Sequence, residues 1–426
     1  MEFTFKARCN SWHFEVDQHN LLFNAELGSL PPIEDENKAI VEAIRTPINS
    51  ASLREIVKGR SSVVIIVDDL TRTTPQRRIL PILLDEINGY GIADELITLV
   101  IALGTHRDMT PEEIKERFGE AVCRRVKIVN HDAYNNCIDL GCTDLGTPIQ
   151  INRTVYEAEV RISVGTVVPH PLAGWGGGGK MIQPGVSSLQ TTDATHFLGG
   201  TYEKPLELVG NPENPIRREM EIVAERIGLD FVINSVQDMA GNFVGIFTGN
   251  YITAHRAAVK CAELIFRPEI PDRSDIVICN AYPADLDYWQ GFKPFVYAQL
   301  AVKDGGTIIF VIDAPEGVSG GAPKHEEIML KWATKEPEAI LAALESGEIT
   351  DRNCGGICVS QSRLLKRAKV ICVVGGMNKV EIRGLGFTPA SDIDAALKEA
   401  LSIHGQDATI GIIPYGGETI VRVKDR

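Results

Sequence analysis

His170, Lys180 and His196 fall within one stretch, PHPLAGWGGGGKMIQPGVSSLQTTDATH (169–196), around a run of glycines. Histidine offers a neutral nitrogen to a metal or to a proton near pH 7, and a desolvated lysine becomes a nucleophile able to bond a cofactor. A lone histidine is usually structural. Here a lysine and two of the chain's nine histidines bracket one glycine turn, a density that favours function. Gly174 to Lys180 also fits the first part of a P-loop, G-x-x-x-x-G-K. Met181 then stands where such a loop carries the Ser or Thr that holds magnesium, so a P-loop-like phosphotransferase would lack an essential part. Successive glycine amides, those of Gly177 and Gly178 among them, still suit an anion cradle.

Three further segments add polar groups at predicted strand ends. DDLTRTTP (68–75) offers Asp69, Thr71 and Arg72, and GTHRDMTPEE (104–113) offers His106 and Arg107. Arginine matches a carboxylate through two parallel hydrogen bonds. The plainer alternatives are an ion pair of Arg72 with Asp68 or Asp69, and a turn or capping role for His106. YPADLDYWQGFKPF (282–295) gathers Asp285, Trp289, Gln290 and Lys293, which suit a pocket wall, with core packing the alternative for Trp289. NCGGIC brings Cys354 near Cys358, and a glycine-rich loop explains it more simply than a metal site.

The elements that must position these groups read as an alternation. Apolar, β-branched runs SSVVIIVDD (61–69), ELITLVIALG (95–104), RVKIVNHD (125–132) and EVRISVGTVVPH (159–170) predict parallel strands. PQRRILPILLDEINGYG (75–91) and TPEEIKERFG (110–119), the latter with Thr110 as N-cap, predict crossover helices. Loops at the carboxyl ends of such strands are where open α/β sheets bind ligands. A proline- and charge-rich segment, IFRPEIPDRSD (265–275), marks a domain boundary, beyond which IVICNAYP, GGTIIFVIDAPEG and AKVICVVGG resume the pattern. The expected class is α/β: two α/β domains with mainly parallel sheets and an active-site cleft between them. The first spans 1–268 and is completed by 405–426, whose TIGIIPYGGETIVRVKD reads as a returning strand pair; the second spans 273–404.

The composition, 44% hydrophobic and 23% charged, is that of an ordinary globular protein. A net charge of −14 argues against a nucleic-acid surface. No run of about 18 apolar residues suggests a membrane span, and the start lacks the basic-then-apolar order of a signal peptide. Nine scattered cysteines fit free thiols in a reducing compartment, so a cytoplasmic location is expected.

Taken together, Asp69 to Arg72, Gly104 to Arg107, and Pro169 to Gly185 followed by His196 resemble the motifs of the nickel-pincer lactate racemase family, D-x-T-R, G-T-H-R and P-H-x-x-A-G-x-x-G-G-x-K-x-x-x-P-G, over most of the chain. The resemblance implies a 2-hydroxy acid racemase or epimerase. Lys180 would be joined through a thioamide to a pyridinium-3-thioamide-5-thiocarboxylic acid mononucleotide carrying nickel, and His196 would ligate the metal. It implies that His106 and His170 are paired acid–base groups, that Arg72, Gln290 and Lys293 hold substrate beside Trp289, and that Asp69, Thr71, Gly177 and Gly178 lie at the cofactor. The implied reaction is reversible hydride transfer through a 2-oxo acid. Implied partners are a small 2-hydroxy acid (lactate, malate, aryl-lactate or a sugar acid) and cofactor maturation proteins, and the reading allows a homodimer. This chain departs from the family pattern in Trp289 for a tyrosine, Pro171 and Leu172 for larger aromatic residues, and GWGGGGK for a serine-bearing loop. Those changes bear on the acid, not on the reaction. A cofactor-free binding protein on the same fold is expected to lose Lys180 or a catalytic histidine, and here all are present.

Overall fold

The computed structural model describes residues 1–320 and 322–424. Its first six-stranded sheet runs, edge to edge, Phe243–Gly249, Phe231–Gln237, Val160–Thr166, Val63–Asp68, Ile97–Ala102, Lys127–Asn130. All neighbours are parallel except the antiparallel pair Phe231–Gln237 and Phe243–Gly249. Every residue of Val63–Asp68 is buried, as expected of a central parallel strand covered by helices on both faces. Ile65 and Val67 pack under the helix Gln76–Gly89, through Leu80, Leu83 and Leu84, while Val64 and Ile66 pack on the other side with Val223 and Ile227 of Pro215–Ile227. Full burial of each such side chain contributes about 1.5–3 kcal/mol. Thr110 caps Pro111–Phe118 in a capping box with Glu113, the start its sequence signals.

The second sheet is wholly parallel, in the order Thr388–Pro389, Lys369–Val374, Val302–Ile312, Ser274–Asn280, Ile410–Ile413, Leu21–Asn24. Two expectations are corrected by it. Ile410–Ile413 pairs with Ser274–Asn280 rather than returning to the first sheet; residues 425 and 426 of that predicted stretch lie outside the described residues. The chain's start also belongs here: Leu21–Asn24 is the edge strand, and the hairpin Glu2–Lys6 with Ser11–Glu15 lays Phe5 and Phe14 against Ile276, Ile309 and Ile371.

Cys354 and Cys358 sit not in a loop but inside the helix Arg352–Leu365. The two glycines between them lower helix propensity, and packing explains them. A Cβ on Gly355 would lie 2.6 Å from Leu344 Cδ2, and one on Gly200, on the facing helix Leu189–Thr201, would lie 2.5 Å from the carbonyl carbon of Gly356. The helices of the two halves therefore meet backbone to backbone. Arg363 strengthens the contact by donating to the Thr201 and Tyr202 carbonyls at the end of the facing helix.

Candidate active site

A cavity of about 590 Å³ opens where the carboxyl ends of the first sheet face the second half of the chain. Its lining includes Asp69, Thr71, Arg72, His106, His170, Gly177, Lys180 and His196 from the first half. Trp289, Gln290 and Lys293, on the helix Tyr288–Ala298, line it from the second. Eleven of the twelve sequence-predicted site residues thus converge. Gly178 does not line the cavity; its N–H donates to Asn234 Oδ1. Asp285, grouped with Trp289 from the sequence, is fully buried elsewhere and accepts from the Arg8 backbone N–H at 2.8 Å.

Adjacent parallel strands deliver the groups in turn. Beyond Val63–Asp68, Asp69 accepts from both the N–H and the hydroxyl of Thr71, at 3.0 and 2.6 Å. Beyond Ile97–Ala102, His106 Nδ1 lies 2.6 Å from Asp69 Oδ2. Burial pulls the Asp69 carboxyl up, but the hydrogen bond and charge of His106, then Arg72 and Thr71, outweigh it and hold the group well below its ordinary value. The plainer alternatives hold only in part at this corner: the Arg72 charge acts on Asp69, and the His106 backbone N–H donates to the Leu103 carbonyl in a turn. Asp68 is taken by Arg117 at 2.6 Å and Gln76 at 3.0 Å, Arg72 donates to Thr71, and His106 pairs with a carboxylate while Thr110 does the capping.

Beyond Val160–Thr166 the chain makes the glycine turn, with Gly174, Gly177 and Gly178 at positive φ. The turn is fastened from behind by Arg217, fully buried, whose guanidinium donates to the Ala173 carbonyl at 3.1 Å, the Gly177 carbonyl at 3.0 Å, and the Trp175 carbonyl. His255 Nε2 bonds the Gly176 carbonyl at 2.8 Å. Lys180 emerges from this turn half-buried. Burial, then Arg72, Lys293 and Arg217, push its amine well below the ordinary value, which favours the neutral nucleophilic form. His170 Nδ1 accepts from the backbone N–H groups of Leu172 and Ala173, at 3.3 and 3.1 Å. His196, on Leu189–Thr201, donates from Nδ1 to the Thr192 carbonyl at 2.9 Å, which leaves Nε2 with a free lone pair; burial lowers this imidazole to about 4.

The opposite wall is ordered by Asp287, which caps its helix through the Gln290 N–H at 2.7 Å. Lys293 Nζ donates to Gln290 Oε1 at 2.7 Å, and burial, then Arg72, lower its ammonium to about 7 despite Asp287, Asp69 and Glu418. Trp289 both faces the cavity and packs on the core, and its ring stacks on His325 with centroids 4.4 Å apart. His325, itself lining the cavity, is held by Asp351 at 2.8 Å. Sequence reasoning missed His325 and Arg217. The first stands alone in its segment. The second carried a usable signal: a cation on the apolar face of PIRREMEIVAERI, between Ile216 and Met220. Among the described residues no group of three or more His, Cys, Asp or Glu is arranged to hold a metal. No helix among them is long and apolar enough to cross a membrane.

Comparison with known proteins finds relatives over most of the chain. Residues 9–205 match the lactate racemase N-terminal domain and residues 270–421 the lactate racemase C-terminal domain. The chain is 31% identical over 413 residues to a lactate racemase of Thermoanaerobacterium thermosaccharolyticum, covering 95% of this chain and 94% of that protein. It is 30% identical over 391 residues to a lactate racemase of Lactiplantibacillus plantarum, covering 91% of each. The solved lactate racemase apoprotein from the first organism superposes with a TM-score of 0.87 at 29% identity, over 99% of this chain and 100% of that one. A Thermotoga maritima protein shares the fold, with a TM-score of 0.71 at 19% identity, over 93% of this chain and 100% of that one.

Proposed function

The chain belongs to the lactate racemase family, and we propose that it racemises or epimerises a small 2-hydroxy acid at the hydroxyl-bearing carbon, using a nickel-pincer nucleotide bonded to Lys180. The observation that carries this reading is one cavity that joins a desolvated Lys180 amine to a histidine with a free Nε2. The donor set fits such a group. A neutral amine can become an amide-type nitrogen where an ammonium cannot, and one imidazole suffices when the nucleotide itself brings the other donors. When bound, this group supplies the hydride acceptor that inversion at an unactivated carbon needs.

The chain's own residues do the rest. Arg72 and Lys293 present cations to the substrate carboxylate, with Gln290 fixing the ammonium. His106, backed by Asp69, accepts the hydroxyl proton at Nε2. The two walls set these groups from both halves of the chain around one cavity. Trp289 on His325 shapes the end of the pocket that selects among 2-hydroxy acids.

Intact mass spectrometry and nickel analysis of protein produced with the cofactor maturation proteins tests the reading. The expected result is an adduct on Lys180 with about one nickel per chain, and loss of both in Lys180→Ala. A loaded protein should abolish the optical rotation of a single enantiomer of its acid or yield an epimer. Absence of adduct and nickel under those conditions overturns the proposal.

A further inference from the structure

We propose that Asn353 and the His325–Asp351 pair bind hydroxyl groups on the carbons beyond the reacting one, so that the substrate is a polyhydroxylated acid of the aldonate class and the reaction its epimerisation. The inference rests on the racemase reading above and names the acid for that same site.

The cavity has two ends of different character. Arg72, Lys180 and Lys293 crowd one of them: all three act on the His170 ring, and Arg72 acts on both lysines. That end suits the carboxylate. The other is walled by the second half of the chain, where the Trp289 ring stacks on His325 and His325 Nε2 lies 2.8 Å from Asp351 Oδ2. Nearby, on the helix of His196, the Asp193 carboxyl is raised to about 6 by burial and then by the charge of Asp351, with Arg352 and His325 acting against the rise. The Glu316 carboxylate lines the cavity as well. A second carboxylate on the substrate would meet this negative charge, so a dicarboxylic acid is disfavoured.

The groups left over are those a hydroxyl satisfies. Asn353, at the start of the helix Arg352–Leu365, lines the cavity, and its Oδ1 is buried with no donor among the described residues. Thr192, which also lines the cavity, has its Oγ1 buried without a partner in the same way. A carboxylate only accepts, so the neutral His325 ring carries its hydrogen on Nε2 toward Asp351 and keeps a lone pair on Nδ1. A hydroxyl both donates and accepts, and can serve an amide oxygen or an imidazole nitrogen. A methyl or aryl tail serves neither and leaves the buried Asn353 oxygen unpaired. Asn353 also stands close to the reacting end: one turn further along its helix, a Cβ on Gly356 would lie 3.5 Å from the His196 carbonyl oxygen. Only the hydroxyl-bearing carbon beside the carboxylate is inverted, so an acid with further stereocentres emerges as its epimer.

Three acids of equal chain length test the inference in the loaded enzyme: 2-hydroxybutanoate, malate and 2,3,4-trihydroxybutanoate. The trihydroxy acid should exceed each of the others by about 10²-fold in kcat/KM. Asn353→Leu, and His325→Phe, which keeps a ring to stack on Trp289, should each cut its advantage over 2-hydroxybutanoate by about tenfold or more. Calorimetry gives a second reading that needs no turnover, and the trihydroxy acid should bind about tenfold or more tightly than 2-hydroxybutanoate, with the difference lost in Asn353→Leu. Equal or poorer turnover of the trihydroxy acid, or an advantage unchanged in both variants, overturns the proposal and leaves the racemase reading standing. A loaded protein that inverts none of the three acids but binds the trihydroxy acid in preference counts against the racemase reading instead, and no preference in either measurement overturns the proposal.

Discussion

Beyond the strand Val63–Asp68 a buried aspartate, Asp69, spends one oxygen on Thr71 and the other on a histidine that faces a cavity. Beyond Val302–Ile312, Asp313 is just as buried but spends both oxygens on the turn of the N-terminal hairpin, on the Cys9 N–H at 2.5 Å and the Asn10 side chain. Its neighbour Asp285, following Ser274–Asn280, accepts likewise from Arg8. Both places are carboxyl ends of parallel strands, where such sheets offer ligand sites. The chain's own hairpin fills one, and the other is left open for chemistry. A buried carboxylate is thus read by its partner: backbone amides make it a structural staple, and a ring nitrogen with its far side exposed makes it a lever on protonation.

The sharpest way to break this contrast is Asp69→Asn. An amide can present its N–H to His106 Nδ1 and stabilises no imidazolium, so turnover of the loaded enzyme should fall about 10³–10⁴-fold, as loss of the tautomer-holding aspartate does in a Ser-His-Asp triad. Nickel content and the Lys180 adduct should persist; loss of either would return Asp69 to a cofactor role. Lys293→Met comes next, with an expected rise in KM of about 10–100-fold. In the unaltered enzyme KM should climb as pH rises past about 7, because Lys293 then loses its charge. Its folded value lies below that of the unfolded chain, about 10.4, so the unfolded chain holds the extra proton between those limits. The contribution of Lys293 to stability accordingly rises with pH across that window, the reverse of its effect on binding. Denaturant titrations of the wild type and Lys293→Met, compared at pH 6 and 9, check the sign.

On the other side of the comparison, Asp313→Ala should cost about 1–3 kcal/mol in urea unfolding by freeing the hairpin turn, with the hydrogen bonds of the His106 and His170 rings unchanged. A change at those rings would mean that the two strand ends are coupled. The smallest effect is expected from Trp289→Tyr, which trims the platform stacked on His325. The ratio of kcat/KM between a bulky and a small 2-hydroxy acid should shift by about tenfold or less.

Much of this was legible in the chain itself. The β-branched runs at 61–69, 95–104 and 125–132 are strands; the first is buried throughout, as a central parallel strand needs an unbroken apolar run, and the last is a half-buried edge strand. The glycine turn, its lysine and the three histidines announced one site, since few structural needs collect those residue types. Hidden were the features that depend on where distant pieces dock. FTFK and SWHF alternate as strands should, yet nothing in them says which sheet they cover, and Ile410–Ile413 is equally silent about its partner. NCGGIC misled because local propensity opposes a helix there and only packing against Leu344 and Gly200 explains it. The hydrogen-bond partners of the histidine rings were out of reach too, since they follow from carbonyl, amide and carboxylate directions that exist only once the loops are folded.

The backbone contact between Gly200 and Gly356 has a consequence for redesign. His196 lies one turn before Gly200, so the wall that carries it is seated without room for even a methyl group and cannot be moved back to enlarge the pocket. Adjustable space lies across the cavity, where Trp289 and His325 meet through side chains alone. A library aimed at new acids should therefore vary the second half of the chain and leave the helix of His196 untouched.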